Sequence, residues 1–310
     1  MEQKADKAKI FVSAVIYCHN NADTIGDLIK GLNITLDNNY QSYEMIVVND
    51  ASNDDSTDVL KKAASQLESK TITLLNFKHC QGLEKAMNAG LDLAIGDFVY
   101  EFDSAFLDFD WGIVFDAYKK STSESCDIVC VRSTKKSSIS SRLFYYLLNH
   151  YSGFKYQVAT DTFRLVSRRA INRIRKNTQS VPYRKAAYAS CGLTMGSIYY
   201  TPAIEVKRPL AIGRKQAAYD SMVLYTDVAY RATGSMAIIV FGLFLCILIM
   251  SIIGLLAHGE VNSWMIVGSL LSLGFAFLFV VLAFILKYIQ TFVVLYFQKN
   301  SYRFDSIEKL

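Results

Sequence analysis

The sequence predicts an α/β domain with a mainly parallel sheet, followed by two C-terminal transmembrane helices. Three observations predict it. Short β-rich runs alternate with helical patterns from residue 10 to residue 102. Polar and acidic side chains collect directly after three of those runs, and two long stretches near the end carry no charge at all.

The alternation starts with Ile10–Tyr17 (IFVSAVIY), an apolar run of the kind buried on both faces of a parallel sheet. Thr24–Leu36 then sets Ile25, Leu28, Ile29 and Leu32 at helical spacing. Tyr43–Val48 reads as a second strand, Asp58–Leu67 as a helix and Thr71–Leu75 as a third strand. Leu83–Ala94 reads as a helix and Asp97–Phe102 as a fourth strand. Cys126–Val131 is a further strand candidate, and Ser133–Ser141 reads as a mobile loop. Ser141–Tyr151 (SRLFYYLLNHY) forms an amphipathic, aromatic-rich helix over about 139–151, suited to the domain core or to a membrane interface. Alternation of this kind calls for right-handed crossovers and places ligands beyond the carboxyl ends of the strands. His19, Asn20 and Asn21 after the first strand, Asp50 after the second and Asp103 after the fourth therefore mark a ligand site.

Ser235–Ala257 and Trp264–Leu286 hold no charged residue. Each exceeds the ~20 apolar residues that cross a hydrocarbon core of about 30 Å. The connection at 258–263 has no Lys or Arg, whereas Arg231, Lys287, Lys299 and Arg303 flank the outer ends. The positive-inside tendency then puts both ends in the cytosol. The expected organisation is a cytosolic domain over 1–230, a two-helix membrane hairpin over 231–298 and a cytosolic tail over 299–310. Met1–Lys9 is polar and lacks the apolar stretch of a secretory signal. The 6 cysteines show no paired spacing and read as ordinary thiols. A net charge of +5 on such a chain points to anionic lipid heads and phosphates rather than nucleic acid. Gly242, Gly254, Gly268 and Gly274 would permit close helix packing, within one chain or in a homo-oligomer.

Five segments follow one another in order: VIYCHNNADTI at 15–25, VVNDASNDDST at 47–57, HCQGLEKAMNAGLDLAIGDFVYEFD at 79–103, ATDTFRLVSRRA at 159–170 and KRPLAIGRKQA at 207–217. Together they resemble family 2 glycosyltransferases of the GT-A fold (nucleotide-diphospho-sugar transferases), in particular the polyprenyl-phosphate glycosyltransferases related to dolichyl-phosphate mannose synthase. The resemblance implies a nucleotide-sugar site containing Tyr17, His19, Asn21, Asp50, Asp103 and Ser104, with Asp50 on the aspartate that contacts the base. It implies that Arg142 and Arg164 bind the lipid phosphate of the acceptor, helped by Arg208, Arg214 and Lys215 in a cationic loop. Two guanidinium groups suit a phosphate, since each donates paired, charge-assisted hydrogen bonds.

The implied reaction moves one sugar, with inversion, from a UDP- or GDP-sugar to a polyprenyl phosphate on the cytosolic leaflet, in the service of cell-envelope polysaccharide. Asp103 and Arg164 are its implied catalytic residues, and Mg²⁺ or Mn²⁺ its implied cofactor. A phosphate nucleophile is already anionic near pH 7, because its second pKa is about 6, so no general base is required. The family's metal motif has two carboxylates, and here it reads Asp103-Ser104-Ala105. Asp103 is the implied ligand, with Glu101 a second candidate on the same side of the strand by period-2 alternation. The lost carboxylate motivates two other readings: a transferase acting on another membrane-linked glycan acceptor, or a catalytically silent scaffold. The implied location is the inner cell membrane, multi-pass, with the catalytic domain and both termini cytosolic.

Overall fold

The apolar run at Ile10 is a strand because both of its faces find apolar partners. In the computed structural model it forms the centre of β1 (Ala8–Cys18). Val12, Ala14 and Ile16 point into one core layer with Ile25, Leu28, Ile29 and Leu32 of α1 (Ala22–Asn39). Val15 and Tyr17 point into the opposite layer with Ala86, Met87 and Ala89 of α3 (Leu83–Leu93). Alternation along one strand thus fills two cores, one on each side of the sheet.

The structure describes residues 7–67, 72–135, 137–176, 181–202, 214–258, 263–297 and 302–310. It divides into two compact units, Met1–Asn149 with Phe154–Ser221 and Phe297–Leu310, and His150–Gly153 with Met222–Tyr296.

The first unit is built on β1, β2 (Tyr40–Asn49), β3 (Ile72–Asn76), β4 (Phe98–Phe102), β5 (Ile128–Ser133), β6 (Phe163–Ser167), β7 (Met195–Tyr200) and β8 (Ser306–Lys309). They form one 8-stranded sheet in the order β7-β5-β6-β4-β1-β2-β3-β8. β4, β1, β2 and β3 run parallel to one another. β6 is antiparallel to both β4 and β5, and β8 is antiparallel to β3. The remaining helices of this part of the chain are α2 (Ser56–Ser65), α4 (Gly112–Ser123), α5 (Ile139–Ser152), α6 (Arg168–Arg175), α7 (Arg184–Ser190) and α8 (Arg214–Tyr225).

The strands and helices expected up to residue 103 are all present with shifted ends. Of the stretch read as a loop, Ser133–Ser141, the described residues between β5 and α5 have neither strand nor helix, while Ser133 closes β5 and Ile139 opens α5. The end of the 299–310 tail adds β8 to the edge of the sheet.

The second unit contains most of α9 (Val228–His258) and α10 (Ser263–Phe297). Tyr230–Leu256 and Ser263–Ile289 are long and apolar enough to cross a membrane. Their side chains are largely uncovered, as Leu256, Phe277 and Leu270 illustrate. Asp227 and Lys287 pair at 3.3 Å, which ties the start of α9 to the later part of α10.

Close approach of α3 to the sheet depends on Gly90. A Cβ there would lie 2.4 Å from Val15 Cγ1 and 2.8 Å from Val48 Cγ2. Gly90→Ala is therefore expected to cost about 1–3 kcal/mol by overpacking, seen as a lower thermal unfolding midpoint. A variant that melts with the wild type would show this contact to be loose.

Candidate functional site

The residues expected after β1 and β2 meet at the carboxyl end of the sheet. Asp50 is fully buried, and both of its carboxylate oxygens accept hydrogen bonds. Oδ1 takes the backbone N–H of Gln81 at 2.7 Å. Oδ2 takes the backbone N–H of Gly82 at 2.9 Å, the Tyr17 hydroxyl at 3.1 Å and the Cys80 thiol at 3.2 Å. His19 Nδ1 lies 2.7 Å from the Asp50 carbonyl oxygen. Asn21 accepts the His19 backbone N–H at 3.0 Å through Oδ1.

The backbone around this cluster is strained. Asn20 and Ala51 adopt φ of 52° and 53°, a left-handed conformation that costs an L residue roughly 1–2 kcal/mol. Asn20 and the Asp50 loop hold each other there, Asn53 N–H donating to Asn20 Oδ1 at 2.8 Å and Asn20 N–H to Ser52 Oγ at 3.1 Å. Gly82, at φ 88°, caps α3 and turns its N–H onto Asp50. A residue with a Cβ resists that conformation, which is why glycine stands here.

Two residues further on, Glu84 begins a second cluster. Its Oε2 accepts the Arg184 backbone N–H at 3.1 Å and Nε–H at 2.9 Å. Arg184 also donates through Nη2 to Asp103 Oδ1 at 2.6 Å and through Nη1 to Glu101 Oε2. Arg164 donates through Nη1 to Glu101 at 2.7 Å, through Nε to Asp161 at 3.0 Å and through Nη2 to the second oxygen of Asp103. Lys185 pairs with Asp161, and the Tyr188 hydroxyl donates to Glu101. Both guanidinium groups are only 1% exposed.

Register explains half of this arrangement. Glu101 and Arg164 are direct cross-strand partners in the antiparallel pair of β4 and β6, so their side chains meet on one face. Arg184 arrives from the start of α7. The sequence reading missed it, although Arg184 and Lys185 are the only charged residues between 177 and 204, and they open an apolar helical stretch.

Electrostatics follow from the packing. Burial alone would raise the Asp103 carboxyl, but Arg164, Arg184 and Lys185 outweigh it and hold Asp103 well below the usual carboxylate range. Burial likewise raises Asp161, yet Arg164 and Lys185 bring it down to about 2. At Glu84 burial dominates over Arg184, and the carboxyl is pushed up. Burial also pushes the Cys80 thiol up to about 11.

Two places offer ligand atoms to a metal. His19, Asp50 and Cys80 bring one ligand atom each within 4.8 Å of one another. The Asp50 oxygens there are spent on four donors, and the raised thiol opposes the thiolate that a metal needs. Asp103 is an ionised carboxylate of the kind that suits a hard divalent cation. Its two oxygens, however, each carry a guanidinium, so coordination requires one of these to let go. Glu101, the second candidate ligand, is fully buried beneath Arg164, Arg184 and Tyr188. Ala105 is fully buried in the apolar core, so a carboxylate restored there would be buried without water.

The other expected residues divide. Ser104 sits half-buried in the bend after β4. Arg164 does not present its guanidinium for an acceptor phosphate, because every N–H contact described goes to a carboxylate. Arg142 is exposed in the first turns of α5, where Ile139, Leu143 and Tyr146 also face outward. Arg208 lies outside the described residues, as do the side chains of Arg214 and Lys215, whose backbone opens α8.

Two outcomes follow for this network. Removing one partner of a buried ion pair costs about 3–5 kcal/mol, so Arg184→Met is expected to lower stability by that order. In the protein that remains folded, the freed Asp103 oxygen should raise Mn²⁺ affinity at least tenfold, read from the free-ion signal in electron paramagnetic resonance; an unchanged signal would remove Arg184 as a competitor. A depressed carboxyl contributes stability that is complete above its unfolded pKa of about 3.9 and fades as pH falls through the folded value. The thermal advantage of wild type over Asp161→Asn should thus hold at pH 6 and shrink between about pH 4 and pH 2, with Glu84 working in the opposite direction.

Comparison with known proteins adds the family. Residues 13–175 match the model of glycosyl transferase family 2. The uncharacterised glycosyltransferase YkcC of Bacillus subtilis is 24% identical over 208 residues, covering 64% of this chain and 63% of that protein. The undecaprenyl-phosphate 4-deoxy-4-formamido-L-arabinose transferase of Edwardsiella ictaluri is 32% identical over 94 residues, 30% of this chain and 29% of that one. The match therefore spans less than two thirds of either relative. Among solved structures, the glucosyl-3-phosphoglycerate synthase of Mycobacterium tuberculosis, in complex with Mn²⁺, UDP-glucose and phosphoglyceric acid, superposes with a TM-score of 0.52 at 15% identity. That likeness covers 69% of this chain and 78% of the other, and it shows a shared fold. With the family model covering more than half of its length, the chain belongs to glycosyltransferase family 2.

Proposed function

We propose that this chain is a membrane-anchored, inverting glycosyltransferase that moves one sugar from a UDP- or GDP-sugar to a polyprenyl phosphate at the cytosolic leaflet. The observation that carries the proposal is the arrangement at the carboxyl edge of the sheet. The Asp50 cluster and the Asp103 cluster are joined through the first turn of α3, Gly82 bonding to one and Glu84 to the other. A donor with a base at one end and a diphosphate-linked sugar at the other suits two such clusters set side by side.

In this reading the base docks at the Asp50 cluster beside Tyr17, His19 and Asn21, and a direct bond to the Asp50 carboxylate requires one of its four present donors to move. Asp103 and Ser104 sit beside the sugar and diphosphate. The acceptor phosphate oxygen attacks the anomeric carbon as the bond to the diphosphate oxygen breaks, and the departing group leaves with the electron pair. No proton must be removed from the nucleophile. A divalent cation, Mg²⁺ or Mn²⁺, when bound, would offset charge on the diphosphate, and Asp103 is the residue that would hold it. Arg142 is the guanidinium best presented to the lipid phosphate. Arg164 would join it only by giving up a carboxylate, and Arg208, Arg214 and Lys215 remain part of the proposal as a basic loop. The UDP-glucose in the solved neighbour and the acceptor in the name of the Edwardsiella relative are consistent with this donor and acceptor chemistry.

Anchoring rests on α9 and α10, with 1–230 as the cytosolic domain, 231–298 as the hairpin and 299–310 as the returning tail. The outward Ile139, Leu143 and Tyr146 of α5 give the domain an apolar contact of its own for the lipid interface. The pairing of β8 with β3 after α10 supports the reading that the chain on both flanks of the helix pair shares one compartment. The basic residues at those ends favour the cytosol.

A second reading, a silent scaffold, is favoured by the guanidinium contacts on both Asp103 oxygens. One assay separates the two. Protein purified in detergent, given a panel of labelled nucleotide sugars, Mg²⁺ or Mn²⁺ and polyprenyl phosphate, is expected to yield a glycosylated lipid. Asp103→Asn should abolish that product, and Arg142→Ala should raise the acceptor KM several-fold with the donor KM unchanged. No turnover across the panel would favour the scaffold, and turnover only with another membrane-linked glycan would move the acceptor.

A further inference from the structure

The chain beyond the second apolar helix does more than close a sheet edge. β8 pairs with β3 from Thr73↔Lys309 to Asn76↔Ser306. Just before it, Tyr302 stacks on Phe77 with ring centroids 6.5 Å apart and planes 13° apart, and its hydroxyl donates to Asp92. Arg303 and Gln81 bond in both directions: Arg303 N–H donates to Gln81 Oε1 at 3.2 Å, and Gln81 Nε2–H donates to the Arg303 carbonyl. Gln81 is the residue whose own backbone N–H reaches Asp50 Oδ1 at 2.7 Å.

A second path runs through side-chain amides. Asn76 Nδ2 donates to Ser306 Oγ at 3.2 Å and to Glu308 Oε1 at 3.0 Å. Asn76 Oδ1 accepts from Asn49 Nδ2 at 3.0 Å, and Asn49 Oδ1 accepts the Ser52 backbone N–H at 3.0 Å. Arg303 thus holds Gln81 of the 77–82 loop directly, whereas Ser52 of the 50–56 loop is reached only through Asn76 and Asn49. The left-handed turn at Ala51 is held by the Asn20 contacts, so the direct action of residues 302–308 falls on the 77–82 loop.

We propose that segment 302–310 is a strap that positions the Asp50 side of the donor site, with Gln81 as its point of action. This rests on the reading that the nucleotide base docks at the Asp50 cluster. The strap touches neither Asp103 nor Arg142 in any described contact, so it acts on donor affinity rather than on transfer.

The test uses the full-length protein in detergent, a chain ending at Ser301, and Gln81→Ala, which leaves β8 paired should the shortened chain fail to fold. Amide hydrogen exchange is read at 77–82, and UDP and GDP affinity by calorimetry. Both variants are expected to speed exchange at Gln81 and Gly82 at least tenfold and to weaken the preferred nucleotide about fivefold or more. In the transfer assay donor KM should rise while kcat and acceptor KM hold. Unchanged exchange in Gln81→Ala would overturn the strap. Faster exchange with unchanged nucleotide affinity would overturn its role in the donor site. A wild type that binds neither nucleotide, with exchange responding as expected, would instead overturn the reading of Asp50 itself.

Discussion

Two guanidinium groups buried among four carboxylates hold the carboxyl end of β4 together, and the rest of the site is arranged around them. Arg164 and Arg184 share Glu101 and Asp103, while Glu84 and Asp161 take the outer donors. Charges removed from water in this way are tolerable only when each has a partner of opposite sign and good geometry. The network therefore fixes four separate pieces of chain, β4, β6, α3 and α7, by electrostatic necessity as much as by apolar packing. It also sets the state of Asp103, which is ionised and occupied at once.

Position along α3 links this network to the Asp50 cluster. Gly82 turns the chain onto Asp50, and Glu84 lies two residues later on Arg184. Gly90, further along the same helix, lets it lie close against Val15 and Val48. A helix pressed so tightly to the sheet has little freedom to shift one cluster without the other. Coupling between the two ends of a bound donor would pass through that single turn.

Loops around Asp50 have a different source of order. They carry left-handed residues and amide side chains; Asn20 and Asn21 hold the turn after Asp50, and Arg303 holds Gln81. The edge strand β3, which would otherwise expose unpaired backbone groups, is covered by the same segment. One short piece of chain thus both pairs with the sheet edge and bonds to Gln81, the neighbour of Asp50.

Elements whose signals are local can be read from short windows of residues. The two-faced apolar run at Ile10–Tyr17, the helical spacing of Ile25, Leu28, Ile29 and Leu32, and the uncharged stretches at 235–257 and 264–286 follow from periodicity and hydropathy within a few turns of chain. The gathering of Asp50 and Asp103 at one edge was legible too, since a parallel sheet places the residues that follow its strands together. The surroundings of Asp103 come instead from long-range contacts. Glu101 meets Arg164 through antiparallel register, Arg184 reaches Asp103 from a helix 81 positions later, Ala105 turns into the core, and Ser306 returns to Asn76 across 230 positions. Such meetings depend on which strands become neighbours and on how buried charges find partners, and no short window of sequence carries that information.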